Sequence, residues 1–165
     1  MISLLFTIPQ WLRITLSLIY LGIIAFLSLL PPNDFPDIPL FPGADKIVHT
    51  CLYLGLTWLA CWSMHAEIKH IWYYLIILFS ISWGAIMEIF QYMMHMGRSF
   101  DLYDIAGNSV GTLIGVLIYI MMAQLKRNID FNRTVKRWRQ KSGTSKLKLL
   151  NKIYQHYLIN SLWKE

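Results

Sequence analysis

The sequence predicts an all-α integral membrane protein, a bundle of about four transmembrane helices followed by a basic amphipathic tail. Hydrophobic residues make up 56% of the chain and charged residues 15%, with a mean hydropathy of +0.44, which does not fit an ordinary soluble domain. Four apolar stretches occupy about residues 12–30, 47–64, 71–94 and 105–125. Each approaches the ~20 residues that a helix needs to cross ~30 Å of hydrocarbon.

Prolines and short polar links mark the boundaries of the four stretches. The first ends at Pro31-Pro32, and a proline-rich loop leads to Ala44-Asp45, where an acidic residue favours a helix start. Polar links at residues 65–70 and 95–101 separate the second, third and fourth stretches. Because lipid offers no partner to unpaired backbone groups, every stretch is expected to be a helix.

Lysine and arginine are distributed unevenly along the chain. Residues 1–125 carry four of them against seven acidic residues, whereas residues 126–165 carry eleven against two. If the helices alternate in direction, Lys46 and Arg98 fall on one side and all the other basic residues on the opposite side. By the positive-inside rule, both termini are expected to be cytoplasmic.

The basic tail, residues 126–165, is predicted to be distinct from the transmembrane domain, residues 1–125. Apolar residues at helical spacing in segment 146–163 are interspersed with lysines, a pattern typical of an interfacial amphipathic helix. Because the tail directly follows apolar spans, we expect it to bind anionic lipids of the cytoplasmic leaflet, and we expect no nucleic acid partner.

Polar residues gather on the last three spans, at the ends that the predicted topology places on the extracytoplasmic side. Each of these spans carries a polar stripe at helical spacing. An ionisable residue at membrane depth costs about 2.5–3.5 kcal/mol on insertion scales and usually marks a site or an ion pair. Glu88 is the deepest acid. The gathered residues are Asp45, Lys46, His49, Tyr53, Glu88, Gln91, Arg98, Asp101, Asp104 and Asn108.

Small residues share the stripe of the last span with its acids. Gly107, Gly111 and Gly115 recur at every fourth position, in step with the polar residues. Such a stripe predicts close packing against a neighbouring helix, so the acids on the same face should point into the bundle.

Several of the charged residues also have a purely structural interpretation. Asp45 and Asp101 are suited to cap or charge the first turn of a helix. Lys46 and Arg98 are suited to anchor their helices at the membrane interface or to pair with the carboxylates. The sequence leaves these structural roles open beside a role in a site.

The arrangement Asp45-Lys46-x-x-His49-x-x-x-Tyr53, then Glu88-x-x-Gln91, Arg98 and Asp101-x-x-Asp104-x-x-x-Asn108, resembles the VanZ-like family over roughly residues 28–120. The resemblance implies a small multi-pass protein of the bacterial inner membrane, related to teicoplanin-resistance proteins and acting at the cell envelope. It implies no particular catalytic residue.

Two functions follow for the gathered residues, and the sequence does not decide whether the protein is an enzyme. The first is a polar pocket that binds an anionic envelope lipid, a lipid-linked precursor or a glycopeptide antibiotic. The second is a membrane-embedded hydrolase or transferase for a lipid-linked phosphate, with Glu88, His49 and Asp104 as catalytic candidates. The residues expected to bind the substrate are Arg98, Lys46, Gln91, Asp101, Asn108, Asp45 and Tyr53.

A divalent metal is a further alternative for the same residues. Glu88, Asp101 and Asp104, with His49 or His95, offer suitable ligand types but no tight ligand motif. Proton-coupled transport would require an oligomer, because four helices make a small transporter.

Overall fold

A computed structural model describes residues 2–30, 43–64, 70–94, 101–141, 152, 154 and 155. All regular structure in these ranges is helical, which confirms the predicted all-α class. Each of the four apolar stretches coincides with one long helix, and a short helix that the sequence did not predict precedes them. The helices are α1 (Ile2–Leu5), α2 (Gln10–Leu29), α3 (Ala44–Ser63), α4 (His70–Met93) and α5 (Leu102–Lys141).

Three of the long helices have the length and apolarity to cross a membrane. They are α2, α4 and the Leu102–Arg137 part of α5. Helix α3 has 20 residues, but Asp45, Lys46 and His49 in its first turns make it less apolar than these three segments. The structure therefore supports a membrane protein with three clear candidate spans, and the fourth span stays a prediction.

Helix α5 continues well past the predicted end of the last span at residue 125. Its length follows from the sequence, because residues 116–142 contain neither glycine nor proline, the residues that most often end a helix. The chain divides into two compact units, Met1–Met121 and Met122–Glu165.

Within the second unit, the Tyr154 ring stacks on Phe131 at a centroid distance of 3.3 Å. The Tyr154 hydroxyl donates to Asn128 Oδ1 at 3.4 Å. Apart from residues 152, 154 and 155, the predicted amphipathic helix 146–163 lies outside the described residues, so it stays a prediction.

In the first unit, α2 and α3 pack side by side in opposite directions. Side chains of α2 donate to backbone carbonyls of α3 in a regular series: Arg13 to Trp62 at 2.5 Å, Ser17 to Leu59 at 3.0 Å and Tyr20 to Leu52 at 3.3 Å. A buried core of Ile24, Tyr53 and Leu56 lies between these helices. Helix α4 contacts both, and Thr57 of α3 donates to the Ser80 hydroxyl of α4 at 3.3 Å.

Helix α5 packs on α3 through the three glycines of its polar stripe, and here the two helices run parallel. A Cβ at Gly107 would lie 3.1 Å from the Lys46 carbonyl oxygen, and one at Gly115 would lie 2.6 Å from the Leu54 carbonyl oxygen. A Cβ at Gly111 would lie 2.9 Å from the Thr50 carbonyl carbon. The glycines therefore allow backbone contact, as predicted, and this contact brings the starts of α3 and α5 together.

Candidate functional site

Most of the polar residues singled out by the sequence meet at one end of the first unit, where α3 and α5 begin and α4 ends. Arg98 and His95 lie outside the described residues, so their predicted participation is untested. We call the seven described residues that lie together the polar cluster, which leaves out Gln91 and Tyr53: Asp45, Lys46, His49, Glu88, Asp101, Asp104 and Asn108.

Lys46 is surrounded by three carboxylates from two helices. Its Nζ lies 2.6 Å from Asp45 Oδ2, 2.5 Å from Asp101 Oδ2 and 2.7 Å from Asp104 Oδ1. The ammonium donates hydrogen bonds to Asp45 and Asp101, and Asp104 Oδ1 lies within ion-pair distance, so three negative groups already surround it. Lys46 consequently ties α3 to α5 and is not free to bind an anionic ligand in this arrangement.

Asp101 combines the two roles that the sequence left open. Its Oδ1 accepts from the Tyr103 backbone N–H at 2.8 Å, which makes it a capping residue at the start of α5. Its Oδ2 binds the Lys46 ammonium. The hydrogen bond from Lys46, followed by the one from the Tyr103 backbone, lowers the pKa of the Asp101 carboxyl from its usual value.

His49 lies between Asn108 and Asp104. Its Nδ1 is 3.1 Å from Asn108 Oδ1, and its Nε2 is 4.0 Å from Asp104 Oδ2. The amide nitrogen of Asn108 packs over Gly84 of α4, which leaves the amide oxygen for His49. In this amide orientation Nδ1 carries a proton, and in the neutral imidazole Nε2 then presents a lone pair toward Asp104.

Glu88 is the deepest carboxylate of the polar cluster. It is only 1% exposed, and neither carboxylate oxygen has a hydrogen-bond partner among the described residues. Ligand atoms of Glu88, His49 and Asp104 all lie within 4.8 Å of one another. Burying a charged carboxylate without a partner costs on the order of several kcal/mol. The burial of Glu88 therefore requires an interaction that offsets this cost.

Gln91 lies one helical turn beyond Glu88 and contacts α2 instead of the polar cluster. Its Nε2 donates to the Ser28 carbonyl oxygen at 2.8 Å. Beside this bond lies a cavity of about 240 Å³ between α2, α3 and α4. The cavity joins polar and apolar side chains, and its lining residues are Leu27, Ser28, Asp45, Val48, His49, Leu52 and Gln91.

Tyr53 was expected to bind substrate, and the structure buries it in the core two turns below the start of α3. Its side chain is 1% exposed and packs close to Gly84, where an added Cβ would lie 3.2 Å from Tyr53 Cε1. The Tyr53 hydroxyl is buried without a hydrogen-bond partner among the described residues. Tyr53 is thus near the polar cluster but does not line the cavity.

Sequence reasoning missed the contribution of α2 and of Gly84. Ser28 contributes a backbone carbonyl, and no side-chain pattern reveals a backbone acceptor. Gly84 permits the approach of Asn108 and Tyr53 to α4, and its signal in the sequence was a glycine close to the other small residues Ser80, Ser82 and Ala85.

Two groups of carboxylates share Asp104. One group, Asp45, Asp101 and Asp104, surrounds the Lys46 ammonium through oxygens that include Asp104 Oδ1. The other group is Glu88 and Asp104 with the imidazole of His49. The first is neutralised in part by the Lys46 ammonium, whereas the second offers carboxylate oxygens and, when His49 is neutral, an imidazole lone pair.

Comparison with known proteins assigns the chain to a family. No curated protein and no solved structure matches it. The model of one family, VanZ/LLP1, matches residues 4–123, which include the whole polar cluster, all of α2, α3 and α4, and α5 as far as residue 123. The chain belongs to the VanZ/LLP1 family.

Proposed function

We propose that the protein is a receptor for an amphiphilic molecule of the bacterial cell envelope, a lipid or a lipid-linked precursor, whose head group enters the cavity beside the polar cluster. The observation that carries this proposal is the mixed lining of the cavity. Leu27, Val48 and Leu52 offer apolar contacts, while Asp45, His49 and Gln91 offer hydrogen-bonding groups. A cavity with both apolar and hydrogen-bonding walls suits an amphiphilic molecule, which has an apolar chain and a polar head group.

The membrane topology belongs to the same proposal. All four long helices cross the bacterial inner membrane, with both termini cytoplasmic and the polar cluster at the extracytoplasmic face. The distribution of lysine and arginine supports this orientation. The tail after residue 126 contacts anionic lipids on the cytoplasmic side. Reporter fusions at the C-terminus and in the segment 31–42 would test the orientation.

The charge of the head group is constrained by Lys46. Its ammonium is already held by three carboxylates, so it offers little to an anionic lipid. Arg98, the other cation that the sequence assigned to anion binding, lies outside the described residues. A lipid panel must therefore include anionic, zwitterionic and pyrophosphate-linked head groups.

The test uses the purified full chain in detergent and measures the melting temperature with each lipid. The lipids are phosphatidylglycerol, phosphatidylethanolamine, a polyprenyl phosphate and a polyprenyl pyrophosphate, and the glycopeptide teicoplanin is compared with them. The variant Val48→Trp fills the cavity, and the matched control Leu18→Trp places the same ring in a separate apolar groove of about 280 Å³. Both positions are exposed, at 51% and 62%, so both variants should fold.

We expect at least one lipid of the panel to raise the melting temperature of the wild type and of Leu18→Trp, and to lose this effect in Val48→Trp. Two results would contradict the proposal. One is a panel in which nothing stabilises the wild type. The other is equal stabilisation of Val48→Trp, which would place lipid binding elsewhere on the protein.

A second candidate function, hydrolysis or transfer of a lipid-linked phosphate, is favoured by the placement of Glu88. A buried carboxylate beside His49 and Asp104 provides two groups that can exchange protons within one site. Labelled polyprenyl phosphate and pyrophosphate substrates would be incubated with the wild type and with Glu88→Gln. Turnover that Glu88→Gln abolishes would support catalysis, and absence of turnover in the wild type would leave binding as the function.

A further inference from the structure

The two carboxylate groups of the polar cluster differ in one respect that points to a ligand. Asp45, Asp101 and Asp104 converge on the positive charge of Lys46. In the second group, among the described residues, no lysine or arginine lies within ion-pair distance of Glu88. Two carboxylates held together in an apolar surrounding repel each other unless a positive charge lies between them.

The orientation of His49 makes the second group complete as a set of ligands. Its Nδ1 is engaged by Asn108 Oδ1, and its Nε2 faces Asp104 Oδ2 at 4.0 Å. Histidines that bind metals almost always donate their other ring N–H to a carbonyl or carboxylate, which fixes the tautomer. Asn108, 1% exposed, occupies the position of such a partner.

Glu88 supplies an independent observation. Its two oxygens are buried and have no hydrogen-bond partner among the described residues, although ligand atoms of His49 and Asp104 lie within 4.8 Å. A carboxylate in this state is stabilised by a proton, by a protonated His49 or by a metal ion. Of these, a metal ion is the one that all three side chains can bind together, because a neutral His49 then contributes the lone pair of Nε2 beside the two carboxylates.

We propose that Glu88, His49 and Asp104 bind a divalent transition-metal ion of the Zn²⁺ or Mn²⁺ type. One imidazole and two carboxylates form a borderline ligand set that suits these ions better than Ca²⁺ or Mg²⁺, which prefer oxygen alone. Three protein ligands leave at least one coordination position for water or another molecule. The inference does not rest on the lipid proposal, because metal binding needs no lipid.

The spacing of the ligand atoms is slightly wider than in a loaded site. Ligands about 2.0–2.2 Å from a common zinc ion lie about 3–4.4 Å apart. Separations of up to 4.8 Å therefore require the side chains to close by less than about 1 Å each. Asp104 can do so without releasing Lys46, because the two interactions use different oxygens.

The test measures the affinity of the purified full chain, carrying no histidine tag, for Zn²⁺, Mn²⁺ and Mg²⁺ by equilibrium titration. Glu88→Gln and His49→Ala remove ligands. The matched controls are Asp130→Asn, an exposed acid in the second unit, and His70→Ala, an exposed histidine that contacts Tyr73. We expect one Zn²⁺ per chain, at least about tenfold weaker binding in both ligand variants, and unchanged binding in both controls.

Thermal unfolding distinguishes lost ligation from a damaged fold. In EDTA, Glu88→Gln should melt at or above the wild-type temperature, because it replaces a carboxylate that has no partner with a neutral amide of the same shape. With Zn²⁺ the order should reverse, since only the wild type gains stability from the ion. Asn108→Leu, which removes the acceptor that orients His49, should weaken Zn²⁺ binding about 10–100-fold.

Three results would overturn the proposal. The wild type could bind none of the three ions, Glu88→Gln could bind Zn²⁺ as tightly as the wild type, or His70→Ala could lose the binding, which would place the ion at the surface. If Glu88→Gln melts far below the wild type in EDTA, its loss of Zn²⁺ binding could reflect a damaged fold, and the test then rests on His49→Ala. Unchanged Zn²⁺ affinity in His49→Ala would refute the site.

Discussion

The contact between α3 and α5 gives the sharpest stability prediction, through the substitution Gly111→Ala. The added Cβ would lie 2.9 Å from the Thr50 carbonyl carbon and 3.0 Å from the Leu54 nitrogen. Both distances fall about half an ångström short of the 3.4 Å at which ordinary van der Waals contact begins. Because both partners are backbone atoms, no side-chain rotation relieves the overlap, and the helices must separate.

Overpacking of this kind costs typically about 1–3 kcal/mol. The matched control is Gly22→Ala on α2, where the new Cβ has no neighbour within 4 Å. There the replacement should stabilise the helix by about 0.5–1 kcal/mol, because alanine has less backbone freedom to lose than glycine. The same chemical change is thus expected to have opposite signs at the two positions.

Both variants would be measured by reversible unfolding of the purified protein in mixed micelles, monitored by helical circular dichroism. Gly111→Ala should also weaken the polar cluster, because separation of α3 from α5 pulls Lys46 away from Asp101 and Asp104. If Gly111→Ala proved as stable as the wild type, the close backbone contact between α3 and α5 would be refuted. If Gly22→Ala lost as much stability as Gly111→Ala, the effect would come from replacing any helical glycine and not from the contact between α3 and α5.

Three further predictions use the same unfolding measurement. A change in the free energy of unfolding smaller than about 0.5 kcal/mol would contradict each of them. Lys46→Met should cost about 1–3 kcal/mol, less than the ~3–5 kcal/mol of a fully buried ion pair because the Lys46 side chain is 31% exposed. Gln91→Leu should cost about 1–3 kcal/mol, since the Ser28 carbonyl loses its donor. Arg13→Met should cost about 1.5–3 kcal/mol, because the Trp62 carbonyl loses a charged donor.

The helices could be predicted because their signals are local. Each apolar stretch is long enough to satisfy its own backbone, and Pro31-Pro32 marks the end of α2 to within a few residues. The predicted end of the last span at 125 was chosen from hydropathy, whereas α5 continues to Lys141. Loss of apolar residues ends a membrane span but does not end a helix, so hydropathy alone could not locate that boundary.

The meeting of α3, α4 and α5 could be anticipated from periodicity, because glycines and acids on one stripe of α5 must face a neighbour together. What periodicity could not supply was the pairing inside the cluster. It left Lys46 open between binding a ligand, anchoring its helix and pairing with carboxylates, and only the structure identifies the three carboxylates that surround it. Periodicity also could not distinguish Tyr53 from His49, which lies one turn earlier on the same helical face. Only the structure shows that Tyr53 is buried in the core.

The charge balance of the polar cluster connects the two proposals. Among its described residues, four carboxylates stand against the single ammonium of Lys46, and one of them, Asp45, lines the cavity. An anionic head group entering this cavity would meet net negative charge. A divalent ion held by Glu88, His49 and Asp104 would offset two of those charges and offer an open coordination position to a phosphate oxygen. Metal binding should therefore precede the binding of an anionic lipid, whereas a zwitterionic lipid can present its own positive charge to Asp45.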